Sequence, residues 1–172
     1  MATEVQVFGV ILEEETKNPV VVLRAVEGDE TLPIQVGFAE AAAIAAVVEK
    51  VDVPRPMTHD LLVAMTDALG GRVLRVEITD LREATFFAAI TLKRGARTFT
   101  IDARPSDAIA VALRTRASIY VSDDVFRKLE PSDLTEASRQ QWLGFLHALE
   151  AAGELEGAKE EQADEAKKDL VM

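Results

Sequence analysis

The stretch "RVLRVEITDLREATFFAAITLKRGARTFTIDA", residues 72–103, decides the fold class. Leu74, Val76 and Ile78 alternate with Arg75, Glu77 and Thr79. Phe86, Ala88, Ile90 and Leu92 alternate with Phe87, Ala89 and Thr91. Phe99, Ile101 and Ala103 alternate with Thr98, Thr100 and Asp102. A period of two sends successive side chains to opposite faces of a sheet, so three strands are expected. The connections "DLREA" and "KRGAR" are short, with Gly95 at the expected hairpin tip. Parallel neighbours would need much longer crossovers, so the three strands form an antiparallel meander.

Downstream, "RPSDAIAVALRTRASIYVSDDVF" (104–126) predicts a helix, a short strand at Ile119-Tyr120-Val121 and a helical piece, "DDVFRKLE". A last helix is expected to begin near Ser132 or Thr135 and to dock through Trp142, Phe145, Leu146 and Leu149. Upstream, "TEVQVFGVILEEE" and "NPVVVLRAVEG" predict strands joined around Lys17-Asn18-Pro19, and "TLPIQVG" a third that ends at Gly37. "FAEAAAIAAVVEK" predicts a helix with Phe38, Ala41, Ala45 and Val48 on one face. Thr58 is the expected N-cap of the next helix, whose apolar stripe is Leu61, Leu62, Met65 and Leu69, and Gly70-Gly71 supply its stop. The expected class is α+β: a single domain over 1–153, mainly antiparallel sheet with flanking helices and a C-terminal helix, then a charged acidic tail over 154–172 that is a solvated helix or disordered.

The chain has 172 residues and no cysteine, which excludes a disulfide framework, a thiolate nucleophile and a cysteine zinc site. Its start has no basic region, and its longest apolar run, "AAAIAAVV" at 41–48, is too short to span a bilayer. A cytoplasmic protein without a membrane partner is expected. The net charge of −11 argues against a general nucleic-acid binder. Residues 72–116, however, hold nine Arg and Lys against five Asp and Glu, a local +4. Such an island could meet an anion, or be a solvated sheet face.

Arg104-Pro105-Ser106-Asp107 starts a helix in either of two registers. Pro105 is the first helical residue and Asp107 the third, or Ser106 is the N-cap. In the first register Asp107 faces unpaired N–H groups and the positive end of the helix dipole, and both registers make Pro-Ser-Asp a good helix start. Capping does not explain Arg104, because a cation is unfavourable there. Asp107 and Arg114 project from the same side two turns apart, which with Arg104 sets a carboxylate near two guanidiniums: an ion network or an anion site. His59, one of two histidines, is the main candidate for proton transfer, and Asp60 beside it suits a first helical turn. His147 reads as packed or exposed. Asp80, Arg82 and Glu83 cluster in a turn, and Asp102 stands on a polar strand face, from which a Mg²⁺ site could be built. No phosphate-binding glycine loop or other familiar metal signature is present.

In combination these segments resemble the bifunctional nuclease family. The resemblance rests on "RPSDAIAVALRTRASIYVSDDVF" and on "RPMTHDLLVAMTDALGGRVLRVEITDLREATFFAAITL" (55–92), and covers about residues 3–130. It implies a compact α+β domain, often a homo-oligomer, with DNase and RNase activity. The family's motif residues match at Thr58, His59, Asp60, Asp80, Arg82, Arg104, Ser106, Asp107 and Arg114. Ser118 stands where many relatives have proline, and the chain end departs from the ending common in relatives. The resemblance and the local +4 together imply a metal-assisted phosphodiesterase acting on DNA or RNA. His59, Asp60 and Asp107 would be catalytic. Arg82, Arg104, Ser106 and Arg114 would bind substrate. Asp80, Asp102 and Asp107 would hold Mg²⁺ or Mn²⁺. The alternative is a non-catalytic oligomeric module that binds an anionic ligand or a protein partner.

Overall fold

A computed structural model describes residues 1–13 and 16–129. Its elements run β1 (Ala2–Leu12), β2 (Pro19–Ala25), β3 (Thr31–Gln35), α1 (Phe38–Val48), α2 (Thr58–Ala68), β4 (Gly71–Arg82), β5 (Thr85–Arg94), β6 (Arg97–Ala103), α3 (Pro105–Thr115), β7 (Ser118–Ser122) and α4 (Asp123–Lys128). The seven strands form one sheet in the order β3-β2-β1-β7-β4-β5-β6. Every pairing is antiparallel except β4 with β7. The α+β class and the meander stand as the sequence implied. The expected last helix, its apolar face, His147 and the tail lie outside the described residues.

β7 holds the two halves of the sheet together. It pairs antiparallel with β1 and parallel with β4. The parallel contact is possible because β5, β6 and α3 supply the long crossover between β4 and β7. Val76, Ile78, Ala88, Ile90, Ile119 and Val121 turn to one face and join Ile109 and the alanines of α3 in the core. The small alanine side chains let α3 lie close against the sheet.

Four details differ from the sequence expectation. A bulge between Val73 and Arg75 takes Leu74 out of the alternation, so Val73 is buried and Leu74 exposed. Phe99 and Ile101 keep their place in the alternation but are exposed, because β6 is an edge strand. In α1, Ala41, Ala43 and Ile44 are buried while Phe38 is exposed. In α2, the apolar stripe of Leu61, Leu62, Met65 and Leu69 is exposed, and His59 is the buried residue. Turning His59 and Val63 toward the core sends that stripe almost directly outward, since successive helical residues advance about 100°.

Gly70 and Gly71 stop α2 as expected. Gly70 takes the left-handed φ of 71° that a side chain would resist. A Cβ on Gly71 would lie 3.0 Å from Thr66 Cγ2 and 3.3 Å from Leu92 Cδ1, so its bareness lets the end of α2 close on the sheet.

Candidate functional site

Three helix starts build the site, each with an acid at its third position: Glu40 in α1, Asp60 in α2 and Asp107 in α3. For α3 the structure selects the first of the two registers. Arg104 is the N-cap and Pro105 the first helical residue. For α2 the N-cap is Met57, so Thr58 is the first helical residue and not the cap. The Met57 N–H donates to Asp60 Oδ2 at 2.8 Å, closing the first turn by a carboxylate in place of a threonine hydroxyl.

Asp107 holds a partner on each oxygen. His59 Nε2 lies 2.9 Å from Oδ1, and Arg104 Nε donates to Oδ2 at 2.9 Å. Arg104 Nη2 donates to Glu40 Oε1 at 2.8 Å. Because a carboxylate only accepts, His59 Nε2 carries a proton and donates it to Asp107 Oδ1. His59 is buried, and its Nδ1 has no hydrogen-bond partner among the described residues. The side chain of Arg104 is 66% exposed and its Nη1 makes no hydrogen bond among the described residues, so it presents an open donor to solvent.

The charges are tuned accordingly. Burial pushes the Asp107 carboxyl up, but the hydrogen bonds and charges of Arg104 and His59 outweigh it and leave it below the usual range. Glu40 is lowered by its own backbone N–H and then by Arg104. Arg104 is raised by Asp107 first and Glu40 second. The network is a cation fastened between two stable anions, with one donor edge open.

Arg114 has a different place from the one its spacing suggested. It does not meet Asp107. Its Nε donates to Asp60 Oδ1 at 2.6 Å, and its Nη1 donates to the Ala43 and Ala110 carbonyls, both at 3.1 Å. Only 7% of its side chain is exposed. It joins α1, α2 and α3 as an internal clamp. Asp60 is lowered by the Met57 N–H first, against burial, and then by Arg114.

The other candidates stand apart. Asp80 accepts from Lys128 Nζ at 2.5 Å and from Arg82 Nε at 2.6 Å, which ties the β4–β5 turn to α4 and holds its carboxyl well below the usual range. Arg82 also lies over the Phe87 ring. Asp102 is exposed on β6, its carboxylate without a hydrogen bond or ion pair among the described residues. Ser106 is buried at the second position of α3. No group of three His, Asp or Glu side chains gathers as metal ligands among the described residues. Asp80 bonds Lys128 and Arg82, Asp102 lies on β6 and Asp107 bonds His59 and Arg104, so the three are not gathered together in this arrangement. Glu40 escaped the sequence reading. Its signal was the acid at the third helical position, the pattern that drew attention to Asp60 and Asp107.

Residues 21–132 match the family model described as the bifunctional nuclease domain. The chain belongs to the bifunctional nuclease domain family. An uncharacterized protein of Mycobacterium tuberculosis (strain ATCC 25618 / H37Rv) is 44% identical over 122 residues, 71% of this chain and 73% of the relative. Bifunctional nuclease 2 of Oryza sativa subsp. japonica is 32% identical over 136 residues, 74% of this chain and 42% of the relative. Bifunctional nuclease 1 of Arabidopsis thaliana is 29% identical over 115 residues, 64% of this chain and 35% of the relative. The chain thus spans less than half the length of these two plant relatives. The bifunctional nuclease domain match takes in Glu40, His59, Asp60, Arg104, Asp107 and Arg114. No helix among the described residues is long and apolar enough to cross a membrane.

Proposed function

We propose that this domain hydrolyses phosphodiester bonds of DNA or RNA, with Arg104, Asp107 and His59 as its reacting group. The observation that carries the reading is the exposed Arg104 guanidinium fastened to Asp107, itself held by His59, on residues that match the family's motif. A substrate phosphate competes with Glu40 and Asp107 for Arg104, because guanidinium takes phosphate oxygens as readily as carboxylate. When Arg104 turns to the phosphate, Asp107 loses a hydrogen bond and a charge that keep its carboxyl acidic, and Oδ2 becomes a better proton acceptor. Water then attacks phosphorus, its proton passes to Asp107, and the P–O bond to the leaving oxygen breaks as that oxygen takes a proton from solvent water. His59 Nε2–H keeps Asp107 oriented through the step. Arg114 and Asp60 act at one remove, by fixing α2 against α3.

The test is cleavage of labelled DNA and RNA by purified protein and by Asp107→Asn, with and without EDTA. The expected result is loss of at least about a hundredfold in the variant, the scale of a positioned acid–base group. Equal cleavage by both proteins overturns the reading.

One observation favours the second reading, a non-catalytic oligomeric module. The exposed stripe of α2 is the kind of apolar surface that assemblies bury. Sedimentation that gives a monomer, together with turnover, removes it.

A further inference from the structure

The end of the sheet remote from Asp107 carries a charge arrangement that the fold itself does not need. Arg72 of β4 lies directly opposite Lys93 of β5, and Arg94 of β5 directly opposite Arg97 of β6. Side chains directly opposite on antiparallel strands share a face, so like charges there repel. The two pairs lie on opposite faces of the sheet, because Lys93 and Arg94 are neighbours on β5. All four residues are exposed and none makes an ion pair among the described residues. Arg75 follows on the face of Arg72 and Lys93, since its partner Thr91 is two residues from Lys93. Arg116, exposed at the end of α3, comes two residues before Ser118, the partner of Arg75. Arg75 pairs with Glu77, and the register puts Asp102 on the same face, beside Ala89.

The face of Arg72, Arg75 and Lys93 turns away from the core, because Val73, Val76 and Ile90 occupy the alternate positions, while Arg94 and Arg97 project from the other face. Thr98 lies next to Lys93 across the β5–β6 pair, and Thr100 is two residues on, so hydroxyls lie among the cations. Guanidinium forks, an ammonium and threonine hydroxyls on an exposed strand ladder match a phosphate backbone, which takes hydrogen bonds from these groups without reading bases. Along β5, Arg94 is six residues from Ala88, whose partner Ala103 precedes Arg104. At the rise of a strand the basic end is roughly 20 Å from the Arg104 site.

We infer that the outward face at this end of β4 and β5, around Arg72, Arg75 and Lys93, is a docking surface for the phosphate backbone of a nucleic-acid strand whose reacting bond lies at Arg104. The inference deepens the nuclease reading and rests on it for the second half of that statement. The surface holds long substrates and leaves the smallest diesters untouched.

The experiment compares wild type with Arg72→Gln/Lys93→Gln, using a labelled single-stranded oligonucleotide at several salt concentrations and bis(para-nitrophenyl) phosphate as a minimal substrate. Removing two cations that each neutralise a phosphate lowers the slope of log affinity against log salt for a single strand by about 1.4. KM for the oligonucleotide rises, kcat/KM for the minimal diester is unchanged, and the melting temperature holds or rises as the repulsion goes. An unchanged slope in the folded variant overturns the docking surface. So does loss of binding to phosphatidylserine vesicles with oligonucleotide binding intact, which would assign the cations to a membrane surface. If wild type cleaves neither substrate, the nuclease reading falls while the salt slope still decides the docking surface.

Discussion

His59 Nε2 and Asp107 Oδ1 meet at 2.9 Å although 48 residues separate them in the chain. Each sits in the first turn of its helix, and their bond joins two helix starts at the edge of the buried core. Replacing Asp107 with Asn keeps the shape but removes the charge that holds both His59 and Arg104. The expected loss is about 1.5–3 kcal/mol of stability, the range for a hydrogen bond to a charged group. Urea unfolding of Asp107→Asn checks it, alongside the cleavage assay.

The two arginines of this region should behave in opposite ways. Arg114 is internal and satisfies Asp60 together with two carbonyls. Arg114→Leu leaves those acceptors without their donor, at an expected cost of about 2–3 kcal/mol. Arg104 is mostly exposed, so Arg104→Ala should cost less than about 1 kcal/mol while weakening phosphate binding at its own site. Calorimetry and binding titrations on the two variants check the contrast. A destabilised Arg104→Ala with intact binding would exchange their roles.

Acid should loosen the helix starts. Asp60, Asp107 and Glu40 all bind a proton less readily folded than unfolded. Their stabilisation is therefore fully present above the ordinary values of 3.8 for Asp and 4.5 for Glu, and is lost as pH falls below them. The urea midpoint is expected to drop from about pH 4.5 downward. In Asp107→Asn that drop should be shallower, because one of the three carboxyls no longer titrates.

The turn between β4 and β5 carries correctable strain. Arg82 pairs with Thr85, and the two residues between, Glu83 and Ala84, have φ of 47° and 64°. A two-residue hairpin loop with both φ positive favours Asn-Gly, so Glu83-Ala84 is an uncommon choice. Glu83→Asn with Ala84→Gly should stabilise the protein by about 1 kcal/mol. Thermal unfolding checks it, and a fall in melting temperature would show that Glu83 makes a contact worth more than the relief.

Local pattern makes much of this molecule legible in the sequence. The alternation of 86–92 announces β5 because that strand has one buried face, and Arg-Pro-Ser-Asp announces α3 because proline and an acid suit a first turn. His59, Arg104 and Asp107 are candidates from residue type alone. What stays hidden depends on contacts remote in the chain. The place of β7 between β1 and β4 is a long-range pairing that Ile119-Tyr120-Val121 does not encode locally. Arg114 has the right spacing for Asp107, yet Asp60 arrives from another helix and takes it. The α2 stripe misleads for a related reason: two polar bonds, from His59 and Asp60 to α3, orient that helix against its own apolar face.

That orientation yields a last expectation. Leu62 and Met65 are exposed on α2, whereas Ile44 of α1 is fully buried in the core. An exposed apolar side chain away from special backbone features contributes little, so Leu62→Lys/Met65→Lys should change stability by less than about 0.5 kcal/mol per site. Ile44→Ala should cost about 2–5 kcal/mol, because it removes buried methyls and leaves a cavity. Urea unfolding at several protein concentrations measures both. A large, concentration-dependent loss in the lysine variant would mean that a second copy covers the stripe in solution, since lysine is costly only where water is excluded. In that case sedimentation of the variant should show a smaller species than wild type.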